Sequence, residues 1–465
     1  MVEKKMSPRR EALLEKQIHA ADRLSPEQKD ACALFCEAYK RFINSGKTER
    51  LAVAEAVALA EAKGFRPYGR GDALKPGDKV YRINRDKALM LAVIGRAGMA
   101  DGANILAAHV DVPRIDLKTT PLYEDSELAF FKTHYYGGIK KFQWVAIPLA
   151  LHGVIVLNTG ETKTVSIGEN PEDPVFTITD ILPHLGQEQA KKTLSEAITG
   201  EGLNVLIGSL PEPEDEGENR VKLLVLGLLN EYYGVTEADL HSAELSLVPA
   251  LPARDVGFDR SMIGAYGHDD RVCAYGALRA LMDCGTPERT AVAALMDKEE
   301  IGSEGVTGMQ SAFFDTFMED LCEVFHTPLR ACYEKSFCFS ADVTAAFDPH
   351  FAEVYDKRNA PKLNYGIGIC KYTGSRGKSG ASDASAELLG RMRGILDRAG
   401  IPWQMAPMGK VDVGGGGTVA MYMANRNIDT LDAGVPTLSM HAPFEIVSKF
   451  DTYVTYLAMR AVLEH

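Results

Sequence analysis

The stretch "KALMLAVIGRAGMADGANILAAHVDVP", Lys87–Pro113, decides how this chain folds. Two apolar runs, "KALMLAVIG" and "NILAAHVDVP", flank a Gly-containing turn and read as buried strands. The second run closes on His109 and Asp111. Two positions apart on a strand, they face the same side. That spacing suits a metal-binding imidazole with a carboxylate partner that orients it.

Upstream of this stretch the period is helical. "SPEQKDACALFCEAYKRFINSG" starts at Ser25-Pro26 and stops at Gly46, and "ERLAVAEAVALAEAKG" stops at Gly64. Downstream, from about Ile115 to Leu251, short β-like runs dominate: "HGVIVLNTG", "TKTVSIG" and "DPVFTITD". The acidic, turn-rich "PEPEDEGENR" among them reads as an exposed or disordered loop. From Gly257 onward strands and helices alternate, which favours an α/β layered sheet. The simplest organisation is a discontinuous α/β domain, residues 1–114 and 252–465, with a β-rich domain, residues 115–251, inserted after the His109–Asp111 segment.

Composition narrows the function. With 465 residues there is room for two or three domains. Apolar residues make up 46% and charged residues 25%, the balance of a globular protein in water. A formal charge of −13 offers no basic footprint for nucleic acid or a membrane surface. The opening "MVEKKMSPRREALLEKQ" has charges but no apolar core behind them, so it is not a secretory signal. "WVAIPLALHGVIVL" is too short for a membrane span and contains Pro148 and His152. The eight cysteines show no CxxC pair and read as reduced, buried thiols of a cytoplasmic protein.

The chemistry gathers where apolar runs stop. In "AVAALMDKEEIGSEG", Glu299 and Glu300 sit side by side after a buried strand and before flexible, small residues. Adjacent carboxylates repel unless a cation holds one or a proton neutralises the other. A metal with a general base beside it meets both conditions: one Glu ligates, and its neighbour takes a proton from metal-bound water. An exposed Glu-Glu pair on a loop is the plain alternative, and the flanking sequence weighs against it. Four further segments offer partners at strand ends or helix mouths: His109 with Asp111 in "LAAHVDVP", Asp269 and Asp270 in "GHDDRVCAYGAL", Asp342 in "CFSADVTAA", and His441 in "TLSMHAPFE". Each alone is weak, but together they form an N/O ligand set suited to Zn²⁺, Co²⁺ or Mn²⁺. A carboxylate shared by two ions about 3.5–4 Å apart would make a two-metal hydrolase.

In this order "AAHVDVP", "HDDRVCAY", "DKEEIGSEG", "FSADVTAAFDP" and "SMHAPFEI" closely resemble the M18 metalloaminopeptidases, the aspartyl aminopeptidase family. "KYTGSRGKSGASDASAE" and "VDVGGGGTVAMYMA" resemble its bacterial branch, and the likeness covers nearly the whole chain. It implies a three-layer αβα metallopeptidase domain with an inserted β-rich dimerisation domain. It implies two divalent ions, Zn²⁺ first and Co²⁺ or Mn²⁺ as alternatives. His109, Asp342 and Asp269 would hold one ion; Asp269 would bridge to a second, held also by Glu300 and His441. Glu299 would be the general base, and Asp111 would orient His109. His184 in "DILPHLGQ" would reach the partner subunit's site in a homodimer that assembles to a dodecamer. Peptides losing their N-terminal residue would be the substrates.

Two loops bear on substrate. "VDVGGGGTVA" lacks the Lys of a phosphate loop, so Gly416, Gly417 and Thr418 are read as substrate-binding. Arg376 and Lys378 lie where acid-preferring relatives carry a basic residue, which extends the expected substrates to N-terminal Asp and Glu. Two rival readings are a dipeptidase or deacylase on the same scaffold and a catalytically silent assembly protein. The presence of every expected ligand and of Glu299 argues against the second.

Overall fold

The computed structural model describes residues 7–14 and 17–465, so part of the charged opening stretch, at 1–6 and 15–16, lies outside the described residues. Its centre is a nine-stranded mixed sheet in the order Arg66–Pro67, Lys79–Asn84, Ala88–Val93, Thr290–Met296, Ala103–His109, Phe337–Ala341, Asp429–Gly434, Ile367–Cys370 and Trp403–Met405. The two apolar runs of Lys87–Pro113 are both strands of this sheet but not neighbours, because Thr290–Met296 runs between them. The four central strands, from Thr290–Met296 to Asp429–Gly434, are parallel. Their C-terminal ends therefore open on one edge of the sheet, the edge where α/β sheets bind ligands.

Why these runs are almost continuously apolar is visible in the packing. Along Ala103–His109, Leu106 and Ala108 join one core, and Ala103, Ile105 and Ala107 the other. Leu89, Leu91 and Val93 alternate in the same way with Ala88, Met90 and Ala92. A strand covered on both faces has no solvent side to mark with polar residues. On one face lie Pro26–Ser45, Glu49–Glu61, His268–Asp283, Ala386–Arg398 and Lys449–Leu463, supplying Tyr39, Ala56, Val272, Met392 and Val454 to the core. On the other lie Phe313–Val324, Leu329–Lys335 and Ala420–Ala424, supplying Phe317, Cys332 and Met423. The helix at Pro26 begins at a capping box in which Ser25 and Gln28 satisfy each other's backbone N–H groups.

A six-stranded antiparallel sheet, with strands from Arg114–Asp125 to Ala243–Pro249, builds a separate core around Ile115, Phe131, Trp144, Leu151 and Leu247. Two details differ from expectation. "DPVFTITD" makes only isolated bridges, at Phe176 and Thr177. Directly after the acidic loop, Arg220–Tyr233 is a helix, which packs Val225, Leu226 and Leu229 on this core. Its run of Leu and Val around Gly227 is as compatible with a strand as with a helix. A third, five-stranded sheet includes Met262–Ala265, Pro436–Leu438 and Glu445–Ser448. It feeds the helix that starts at His268 and carries the loop with His441. Among the described residues no helix is long and apolar enough to cross a membrane. All eight cysteines are free and buried.

Candidate metal centre

The C-terminal edge of the parallel strands collects the polar residues singled out above. His109 ends its strand, and Asp342 follows the strand Phe337–Ala341. After Met296 the left-handed backbone of Lys298 turns the chain into a short 3-10 turn, Glu299–Ile301. Asp269 lies at the start of the helix His268–Asp283, next to a cis Asp269–Asp270 peptide bond. His441, itself at φ +64°, comes from the loop between two strands of the third sheet.

Asp269 is the centre of the cluster. Its Oδ1 lies 3.2 Å from His109 Nε2, and its Oδ2 lies 3.2 Å from His441 Nε2. Glu299 and Asp342 approach His109 Nε2 to 3.9 Å, and Glu300 approaches His441 Nε2 to 3.6 Å. Each imidazole is held from behind by a carbonyl oxygen. His109 Nδ1 donates to the Asp111 carbonyl at 3.0 Å, with Asp111 Oδ1 at 3.4 Å, and His441 Nδ1 donates to the Gly138 carbonyl at 2.7 Å. A carbonyl can only accept, so a neutral ring carries its proton on Nδ1 and turns its Nε2 lone pair to Asp269. Burial opposes a second proton, but the surrounding carboxylates push both imidazoles up, His441 to about 10, so each Nε2 faces a site that calls for positive charge.

That arrangement fits a cation. His109 Nε2 and Glu300 Oε1 are buried and have no hydrogen-bond partner. Lone pairs facing carboxylate oxygens repel unless a positive charge lies between them. Burial pushes Glu299 up to about 7, opposed by His109 and aided by Asp269 and Asp111. Burial drives Glu300, Asp342 and Asp270 well up, with Asp269 adding to each. Burial also acts against the charge of Asp269, but the two imidazoles that face its oxygens outweigh it and hold Asp269 below the ordinary range. Two donor groups have ligand atoms within 4.8 Å of one another: His109 with Asp269 and Glu300, and His109 with Asp270 and Asp342. The oxygens, imidazoles and closed, charged setting are those of a Zn²⁺ or similar divalent site.

Asp111 sits behind this cluster and is fully buried. Its carboxylate accepts the backbone N–H groups of Glu299 and Glu300 at 3.1 and 3.2 Å and the hydroxyl of Tyr136 at 2.8 Å. The Glu-Glu turn is thus fixed to the His109 segment by hydrogen bonds.

A cleft of about 420 Å³ opens over the centre, lined by Asp269, Glu299, Glu300, Asp342 and His441, with Gly416, Gly417 and Thr418 across from them. Thr418 donates to the buried carboxylate of Asp432 at 2.7 Å, which anchors the glycine loop. The remaining walls include Val343, Met408, Met421, Tyr422 and Met440. Arg376 and Lys378 do not line this cleft. They border an adjoining hollow of about 90 Å³, where Lys378 is paired with Asp383 at 2.9 Å. His184 is exposed on a loop of the inserted domain and is not among the residues of its own chain's cleft.

The sequence reading missed several residues here. Glu445, fully buried, accepts the backbone N–H of Asp269 at 3.0 Å and of His441 at 2.6 Å. It stands four places after His441, inside a motif already marked, but nothing in the spelling says that its partners are backbone groups. Tyr136, Gly138 and Asp432 were missed because their partners, Asp111, His441 and Thr418, are side chains that no local pattern links to them.

Comparison with known proteins agrees with this geometry. The sequence profile of the peptidase M18 family, described as aminopeptidase I zinc metalloprotease, matches residues 42–462. A relative from Clostridium acetobutylicum, named "Probable M18 family aminopeptidase 1", is 47% identical over 461 residues, covering 97% of this chain and 99% of the relative. The crystal structure of an M18 family aminopeptidase from Thermotoga maritima superposes with a TM-score of 0.93 at 43% identity, covering 97% of this chain and all of that one. The structure of aminopeptidase I from Clostridium acetobutylicum superposes with a TM-score of 0.92 at 44% identity and the same 97% coverage of this chain. With the match running through every strand that ends at the cluster, the chain belongs to the M18 family of zinc metalloprotease aminopeptidases and is a peptide-bond hydrolase.

Proposed function

We propose that the protein is a dinuclear aminopeptidase that removes neutral, apolar N-terminal residues from peptides. The observation that carries this reading is Asp269, whose two oxygens each face a different imidazole at 3.2 Å. One ion would be held by His109, Asp269 and Asp342, and the second by Asp269, Glu300 and His441. When bound, the ions supply Lewis acidity toward water and the scissile carbonyl. Glu299, 3.9 Å from His109 Nε2 and in the cleft, takes the proton of the attacking water and returns it to the leaving amine. Asp269, Glu300 and Asp342 surround the substrate's free α-amine with negative charge, which favours an exopeptidase over an endopeptidase. The backbone of Gly416–Gly417 offers groups that align the peptide.

The side chain of the residue removed meets Met408, Met421, Met440 and Val343, and no Lys or Arg lines the cleft. Methionines adapt to apolar groups of varied shape. A preference for N-terminal Asp or Glu would need a cation that this cleft, among the described residues, does not supply. We assign residues 115–251 to dimerisation, with His184 entering the partner's cleft and dimers building a dodecamer, and residues 1–114 and 252–465 to catalysis. Free, buried thiols support a cytoplasmic setting.

The test combines elemental analysis with a panel of aminoacyl chromogenic substrates under Zn²⁺, Co²⁺ and Mn²⁺. Two ions per chain and faster cleavage after Leu or Met than after Asp or Glu are expected. One ion per chain would overturn the dinuclear assignment, and faster cleavage after acidic residues would overturn the subsite.

A further inference from the structure

The inserted sheet reaches the metal centre through three consecutive residues. Tyr136 ends the strand Leu128–Tyr136, and its hydroxyl donates to Asp111 Oδ2 at 2.8 Å. Gly137 follows at φ +72°, where a Cβ would come within 3.3 Å of Glu300 Cβ and of Pro113 Cα. Only glycine combines that backbone with so close an approach. The carbonyl of Gly138 then accepts Nδ1–H of His441 at 2.7 Å. One short segment thus touches both sides of the cluster. A strand end that merely covers a loop would do so with aliphatic surface. Here both polar contacts go to groups that orient an imidazole: Asp111, which lies against His109 Nδ1, and His441 Nδ1 itself.

From this geometry we infer that Tyr136–Gly138 is a strut by which the inserted domain sets the aim of both histidines, and that Tyr136 is a positioning residue acting through Asp111. The inference rests on the metal-centre reading above. The inserted domain then acts on its own chain's chemistry, separately from any role in assembly. The Tyr136 ring is held in turn by the Arg114 guanidinium, 4.0 Å from its centroid, and Arg114 is paired with Asp116 at 2.7 Å. Asp111 is a fully buried anion fed by two backbone N–H groups and one hydroxyl. Loss of the hydroxyl leaves it short of a donor and freer to turn. His109 then loses part of the restraint that points its Nε2 at the ion.

The test is Co²⁺ titration of the full-length apoprotein, followed by visible absorption, for wild type, Tyr136→Phe, Asp111→Asn and the double variant. Tyr135→Phe, on the neighbouring half-exposed tyrosine, serves as control. Tyr136→Phe keeps the ring over Arg114. It is expected to weaken Co²⁺ binding about 10- to 100-fold, as loss of an outer hydrogen bond to a metal ligand does, and to alter the absorption band, with the apoprotein still folded and its melting temperature lowered only by the loss of one buried hydrogen bond. The double variant is expected to bind no more weakly than Asp111→Asn alone, because one acts through the other. Wild-type affinity and spectrum in Tyr136→Phe would overturn the strut, as would fully additive losses or an apoprotein that no longer folds. A wild type that takes up no Co²⁺ would instead overturn the metal-centre reading on which the strut depends.

Discussion

Glu445 holds Asp269 by its backbone: Oε2 of the buried glutamate accepts the aspartate N–H at 3.0 Å. The other oxygen takes the N–H of His441, so one side chain ties together two loops that are far apart in sequence.

Glu445→Gln keeps the volume but turns an amide NH₂ toward one of those N–H groups. One buried donor is then left unpaired, at about 1–3 kcal/mol. A lowered melting temperature and reduced metal uptake by elemental analysis are expected. Unchanged values in both would show that the two loops hold their shape without Glu445.

Glu299→Gln should leave the metal centre loaded and the fold intact while lowering kcat by about 10²–10⁴, the ordinary contribution of a positioned general base. Steady-state kinetics beside metal analysis checks this. Near-normal turnover with full metal content would remove Glu299 from the proton-transfer role.

Asp432 gives a pH signature away from the metal ligands. Burial pushes its carboxyl from 3.8 up to about 6, with the hydrogen bond from Thr418 opposing. Between those values the folded chain holds a proton that the unfolded chain has lost. The stabilisation is therefore complete below pH 3.8 and disappears as pH rises through about 6. At about 1.4 kcal/mol per pH unit over roughly two units, this amounts to about 3 kcal/mol at most. Relative to Asp432→Asn, wild type should lose melting temperature as pH is raised from 4 to 6. A constant difference would mean that the carboxyl titrates near its ordinary value.

His184→Ala should lower turnover without changing metal content or assembly. Mixing it, after dissociation and reassembly, with Glu299→Gln subunits should restore activity. Such mixed dimers contain one site with an intact Glu299 and a partner that supplies His184. If His184 served its own chain, every site in the mixture would carry a lesion and no activity would return.

The residues that gather at the cluster were far more legible in the sequence than their supports. His109, Glu299, Glu300 and Asp342 could be seen because each interrupts or follows an apolar run at the C-terminal end of a central strand. In such a strand a polar residue needs a reason. Glu445, Tyr136, Gly138 and Asp432 act on backbone groups or on residues remote in the chain, and no local pattern encodes such a partner. Arg376 and Lys378 show the limit of reading position from sequence alone. Their place in a loop near the glycines suggested the substrate, but both have left-handed backbones in a tight turn, and the turn borders a neighbouring hollow. Helix Arg220–Tyr233 was hidden by a dense run of Leu and Val that carries neither period clearly.

The strand that carries His109 is hydrogen-bonded on one side to Thr290–Met296 and on the other to Phe337–Ala341. During synthesis it must wait for both, and His441 emerges later still. Pairing across such long separations is slow to form and comes late in folding. A polypeptide that stops short of His441 therefore carries an incomplete donor set, and an enzyme that trims free N-termini gains its chemistry only when nearly the whole chain has been made.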